Sequence, residues 1–274
     1  MEGFPSSVGL VGVGHIGSCL LRGIIAGAPS TRVVLSPRGA GKVAELRRDF
    51  PDFVVAKSNQ EVVDAVDCVL VAVLFKQVNE VFAGLTFRKE QKVMTLVAGL
   101  LPSRLRELAA PAVDCVSAIP LPPVAKRTGS TLLTPPRPWA KEMLLICGSC
   151  VAVQSEEEFK RLLCVTTLMG DFYKRQLTAQ QWLAKHGVAE ADAASWVGAT
   201  FSTFAADSAT AKPETFECLV KEQTPGGLNE MVWRAQEGDG SYGSLEHSLD
   251  AVHHRLVAGK EDPELAPAAK RARK

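Results

Sequence analysis

Residues 8–17 read VGLVGVGHIG, an apolar run that meets Gly12, Gly14 and Gly17 and passes into the helix-like segment SCLLRGIIAG. No other feature restricts the fold as strongly. A strand feeding a Gly-x-Gly-x-x-Gly turn and opening a helix is the first unit of a doubly wound domain that grips a dinucleotide. Gly12 permits the tight turn, Gly14 lets backbone approach a pyrophosphate, and Gly17 lets helix pack close to strand. The loop residues Gly12, Gly14, His15, Ile16 and Gly17 are therefore expected to contact the cofactor. Its pyrophosphate would rest on the unpaired amides and positive dipole end of the helix.

The second strand bears on which dinucleotide. Arg32-Val33-Val34-Leu35 reads as that strand, and Ser36-Pro37-Arg38-Gly39 follows it. An NAD site usually places Asp or Glu here for the ribose 2′-hydroxyl. This chain offers a hydroxyl, Ser36, and a guanidinium, Arg38, which are the groups a 2′-phosphate needs because arginine forks onto phosphate oxygens. The pattern predicts NADP. The alternative role for Arg38 is a solvated side chain at the start of the second helix.

Length and composition set the class. The 274 residues are long enough for one large domain or two ordinary ones. A net charge of +1, with 46% hydrophobic and 22% charged residues, gives no electrostatic reason to expect nucleic acid or a membrane surface as partner. The longest apolar stretch, Cys68 to Phe75, is far short of the ~20 residues that span a bilayer. The opening MEGFPSS lacks the basic and apolar regions of a signal peptide. Seven scattered cysteines suit a reducing compartment, so a cytoplasmic location is expected. The spacing Cys147-Gly148-Ser149-Cys150 is read as a helix-to-strand turn rather than a redox motif. No His/Cys/Asp cluster calls for a metal.

Strand candidates are 8–13, 32–35, 53–56, 67–73, 92–97 and 114–117, alternating with helical segments at 16–25, 40–50, 59–66, 77–83 and 103–109. Continuous runs such as CVLVAVL indicate strands buried on both faces, hence a parallel sheet covered by helices. The fold class is α/β: an N-terminal Rossmann doubly wound parallel sheet, residues 1–153, followed by an all-helical domain, residues 154–258. The proline-dense stretch from Pro120 to Pro138 is read as irregular, with one short strand at 131–133. The helical domain carries more apolar stripes than it can bury alone, which predicts packing against another subunit. Residues 259–274, ending KRARK, are expected to form a disordered basic tail.

Several motifs then fall in the order found in pyrroline-5-carboxylate reductases, and the chain resembles that family to about Leu256. Besides the glycine turn and Ser36-Pro37-Arg38, Val97-Ala98-Gly99-Leu100 is similar to the family's Ala-Ala-Gly segment. Ile119-Pro120-Leu121-Pro122-Pro123 stands where the family has Met-Pro-Asn-Thr-Pro, and Thr224-Pro225-Gly226-Gly227 resembles its Ser-Pro-Gly-Gly. The resemblance implies an NADPH-dependent reductase of a cyclic imino acid, 1-pyrroline-5-carboxylate foremost, acting as a homodimer or larger homo-oligomer through the helical domain. It adds Ala98, Gly99 and Pro120 to the cofactor contacts. Departures concentrate where substrate would bind: Asn229 replaces the family's Thr, Leu121 its Asn, and 167–173, TLMGDFY, its Ser-Gly-Ser-Gly-Pro-Ala-Tyr.

At that site the Gly226 and Gly227 amides are expected to hold a carboxylate, and Thr224 and Asn229 are the candidate catalytic residues, with Thr167 bonding substrate. Asn229 can meet an imine N–H or a carboxylate oxygen through its amide, or cap a helix. Glu230 is read as a partner of the helix dipole, with a proton shuttle as the alternative. His15 is either a titratable group beside the cofactor or a solvated ring. Two other functions remain open: an NADP-dependent oxidoreductase of another imine or a hydroxy acid, and a non-catalytic NADP-binding protein.

Overall fold

The strand at the middle of the N-terminal sheet shows how sequence becomes architecture. In the computed structural model, which describes residues 4–258, Cys68–Val71 is fully buried along its length. Its side chains alternate: Cys68 and Leu70 enter one hydrophobic cluster, Val69 and Val71 another. Neighbouring strands divide in the same way, with Val33 and Leu35 against Val34, and Met94 against Val93. Period-two alternation between two buried faces is what a helix-covered parallel sheet requires.

The first unit, Met1–Leu163, runs β1 (Ser7–Val11), α1 (His15–Gly27), β2 (Arg32–Leu35), α2 (Ala40–Asp49), β3 (Val54–Val55), α3 (Asn59–Asp64), β4 (Cys68–Val71), α4 (Val78–Ala83), β5 (Lys92–Thr95), α5 (Pro102–Leu108), β6 (Asp114–Pro120), β7 (Gly129–Thr134), α6 (Pro138–Leu145), β8 (Gly148–Ala152) and the start of α7 (Glu156–Thr166). The strand order is β3-β2-β1-β4-β5-β6-β7-β8. Its first six members are parallel and reproduce the doubly wound order 3-2-1-4-5-6. Leu20, Leu21 and Ile24 of α1, Leu46 of α2 and Met143 of α6 fill one cluster. Val62 of α3, Phe82 of α4 and Leu105 of α5 fill the other.

The proline-dense stretch departs from expectation. It holds β7, which pairs antiparallel with β6, and beyond it α6 and β8, which extend the sheet further. The sheet is therefore mixed, not wholly parallel. Pro138 does not break α6 because it occupies the first turn, where an amide would lack an intrahelical partner anyway. Trp139 Nε1 donates to Asp114 Oδ2 at 2.8 Å and ties α6 to β6. Cys147 lies in the turn between α6 and β8, where burial pushes its thiol up to about 12.

The second unit, Cys164–Lys274, is helical throughout its described residues: the end of α7, then α8 (Met169–Lys185), α9 (Glu190–Asp207), α10 (Thr215–Lys221), α11 (Leu228–Gly238) and α12 (Ser241–Ala258). The boundary at Leu163 places most of α7 in the first unit, where Phe159 and Leu163 are buried and Ser103 donates to the Glu156 carboxylate. The expected tail, 259–274, lies outside the described residues. No helix among the described residues is long and apolar enough to cross a membrane.

Candidate functional site

The turn after β1 is set by its first glycine. Gly12 has φ +91°, and a Cβ there would lie 2.6 Å from the Ala72 carbonyl oxygen. Both facts exclude other residues at ordinary cost. The Gly12 amide donates to Ser36 Oγ at 3.1 Å, linking the turn to the end of β2. Gly17 fits the tight approach expected of it, since an added Cβ would sit 3.1 Å from Leu10 and Ala72. Helix α1 begins with Gly14 as N-cap, no side-chain cap and no acidic residue in its first turn, so its positive end is uncompensated.

A cavity of about 420 Å³ opens over this turn. Of the expected cofactor residues, Gly12, Gly14, His15, Ile16, Ser36 and Arg38 line it. No carboxylate among the described residues does. Arg38 is exposed and forms no ion pair or side-chain hydrogen bond with the described residues. Ser36 is 0% exposed, and its hydroxyl accepts the Gly12 amide, so besides lining the cavity it shapes the turn, with its own proton still available to donate. The His15 ring is exposed, with Nε2 3.9 Å from Cys19 Sγ one helical turn on.

Gly17, Ala98, Gly99 and Pro120 do not line the cavity. Gly17 is buried against the strand. Ala98 and Gly99 lie beyond Leu96, the residue after β5 that does line the cavity, and Pro120 ends β6, one strand farther along the sheet. Gly99, at φ +86°, faces the Phe75 ring instead. The sequence reading missed Asn59 at the start of α3 and the segment Ala72-Val73-Leu74 after β4, all of which line the cavity. Their signal was positional, since ligands of open α/β sheets bind outside the carboxyl ends of the strands.

In the second unit the Thr224–Gly227 turn closes on itself. The Gly227 amide donates to the Thr224 carbonyl at 2.8 Å, and the Gly226 amide to Glu230 Oε2 at 2.5 Å. Both amides expected to hold a carboxylate therefore have internal partners. Glu230 is held below its ordinary value, first by that amide and then by Arg234, so the turn favours its charged form as an acceptor at the start of α11. Gly227 is the N-cap of α11. Asn229 therefore falls within the first turn and is not the cap; it is exposed, and its Nδ2 donates to Gln223 Oε1 at 2.8 Å. The exposed Thr224 hydroxyl and Asn229 Oδ1 have no protein partner among the described residues. Thr167 donates to the Cys164 carbonyl at 2.7 Å and borders a cavity of about 230 Å³ with Arg175 and Ser244.

The combination of sheet order and glycine turn defines a dinucleotide-type Rossmann unit, and the comparisons agree. Residues 7–99 match the model of the family described as NADP oxidoreductase, coenzyme F420-dependent. Over most of its length the chain shares the fold of the pyrroline-5-carboxylate reductases. The Streptococcus pyogenes enzyme superposes with a TM-score of 0.78 at 19% identity, covering 93% of this chain and 99% of that one. The Plasmodium falciparum reductase, solved with NADP bound, gives 0.73 at 14% identity, covering 92% and 98%. An imine reductase from Pseudomonas sp. gives 0.59 at 16% identity, covering 93% and 95%. No curated protein matches the chain by sequence.

Proposed function

We propose that the chain is a divergent pyrroline-5-carboxylate reductase-like enzyme that reduces a cyclic imino acid, 1-pyrroline-5-carboxylate foremost, with NADPH. The observation that carries this reading is the glycine-turn cavity bordered, among the described residues, by an arginine with no ion pair or side-chain hydrogen bond and by no carboxylate. The residues present fit NADP: amides and an uncapped helix end for a pyrophosphate, and a guanidinium for the 2′-phosphate. When bound, the cofactor supplies the hydride and the protein supplies orientation. Gly12 and Ser36 hold the turn in shape, and Arg38 selects the phosphorylated ribose. With the Gly226 and Gly227 amides occupied, substrate recognition passes to the Asn229 carbonyl oxygen, which accepts an iminium N–H, and to the Thr224 hydroxyl. In this reading the helical unit associates with a second copy through the open groove of about 820 Å³ bordered by Trp182, Trp196 and Val232.

The closed Thr224–Gly227 turn favours a second reading, an NADP-dependent protein that acts on another imine or hydroxy acid, or none. The deciding assay follows NADPH consumption with pyrroline-5-carboxylate and a panel of cyclic imines, repeated with NADH. Turnover that prefers NADPH supports the first reading. NADPH that raises the melting temperature without turnover of any imine supports the second. Arg38→Ala is expected to weaken NADPH binding about tenfold and leave NADH nearly unchanged; equal losses on both would remove the phosphate role. Asn229→Ala is expected to lower kcat about tenfold with little change in cofactor affinity, and an unchanged kcat would leave Asn229 a surface residue.

A further inference from the structure

Strands β2 and β3 run parallel, with Leu35 opposite Val55. Past that pair both chains leave the sheet at the same edge, Arg38 three residues on and Lys57 two. Arg38 and Lys57 border one cleft of about 300 Å³ together with Ser58, Asn59 and Gln60. Arg38 and Asn59 also line the dinucleotide cavity, so the cleft continues it outward. Both cations are exposed, and neither side chain has an ion pair or hydrogen bond among the described residues.

The nearby acids are already committed. Glu61 turns back to accept the backbone amide of Lys57, while Ser58 Oγ accepts the Glu61 amide at 3.1 Å. Ser58 caps α3, and the Glu61 carboxylate returns to the amide one residue before that cap, which together fix the backbone from which Lys57 projects. Asp64 accepts from Gln60 Nε2 at 2.8 Å, and the rest of the Gln60 amide is held by Thr86. Among the described residues no carboxylate borders the cleft. Two like charges sharing a concavity repel unless an anion joins them, and a phosphate monoester carries about −1.5 to −2 at neutral pH.

We infer that Lys57 is the second cation of the 2′-phosphate site, so that the phosphate is held from two adjacent parallel strands at once. The inference rests on the NADP reading above. Arginine supplies the directional fork and lysine a mobile point charge. A bare 2′-hydroxyl gives Lys57 no anion to meet, so the residue acts on cofactor choice and not on hydride transfer.

The test is binding of NADPH, NADH, adenosine 2′-phosphate and adenosine 5′-phosphate to the full chain by calorimetry. It uses the native protein, Lys57→Ala, Lys57→Arg, Arg38→Ala and the double alanine variant. Lys57→Ala is expected to weaken NADPH and adenosine 2′-phosphate about five- to tenfold, leave NADH and adenosine 5′-phosphate unchanged, and flatten the salt dependence of NADPH affinity. Lys57→Arg should restore most of the loss. The double variant should lose less than the product of the single losses, because both cations meet one phosphate. A native protein that prefers NADPH, with a Lys57→Ala variant that keeps that preference intact, would overturn the role of Lys57 alone. Equal native affinity for NADPH and NADH would overturn the NADP reading and this inference together.

Discussion

The two units of this chain bury their apolar residues to very different degrees. In the first, Leu10, Leu70, Met94 and Phe159 are wholly enclosed, and the sheet contributes side chains to clusters on both faces. In the second, the described side chains with the least exposure are small or medium, namely Cys164, Ala193, Val197 and Ala251. Several of its large ones are exposed: Trp196 is 67% exposed, Leu228 77%, Met231 63% and Phe204 62%, while others such as Phe201 and Trp233 are half-buried. Burying one such side chain is worth roughly 1.5–3 kcal/mol, so a helical unit that leaves several exposed is unfinished as a lone object. The nucleotide cavity is built from the finished unit, and the substrate candidates stand on the unfinished one.

Truncation in the finished unit should have the largest effect. Leu70→Ala, at a position with 0% exposure in the central strand, is expected to cost about 3–4 kcal/mol of unfolding free energy in chemical denaturation. A cost below ~1 kcal/mol would break the contrast between the units. Next in size, Trp182→Ser combined with Trp196→Ser should change the fold little, because both rings are more than half exposed. The pair is expected to raise a dimer dissociation constant about tenfold or more, read by light scattering across a dilution series. An unchanged assembly would place the interface elsewhere.

The smallest effect is electrostatic. The Glu230 carboxyl lies below its ordinary value because the Gly226 amide and Arg234 favour its charged form. A group depressed in the folded state contributes stability that is complete above its unfolded value and is lost as pH falls through its folded value. Stability should therefore decline on acidification through and below the normal carboxylate range, and Glu230→Gln should flatten that part of the curve. Parallel curves for both proteins would show that the closed turn does not depend on this charge.

What could be read from sequence follows from what each element needs locally. Strand β2 emerged with its observed bounds, and β4 and β5 were found as longer segments, because strands covered on both faces must be continuous apolar runs. Strand β8, GSCVA, is only half buried and carries no such run, while α6 was hidden by prolines that in fact start it. The glycine turn was legible because sterics alone decide it: Gly12 would collide with Ala72 if it carried a side chain. The Thr224–Gly227 turn was not, because whether an amide is free depends on where the carboxylate of Glu230 folds. The same limit applies to Ser36, whose residue type suited a phosphate but did not foretell that its hydroxyl also holds the Gly12 amide.

That hydrogen bond between Ser36 and Gly12 couples two choices that protein engineers usually treat as separate. The end of β2, where cofactor preference is conventionally rewritten, is also a peg for the loop proposed to carry the diphosphate. An acidic residue grafted at position 36 to favour the unphosphorylated cofactor would enter a fully enclosed slot beside the tight turn, where an unpaired charge is costly. Converting this scaffold between cofactors therefore calls for changes on the rim, at Arg38 and its surroundings, with the peg left in place.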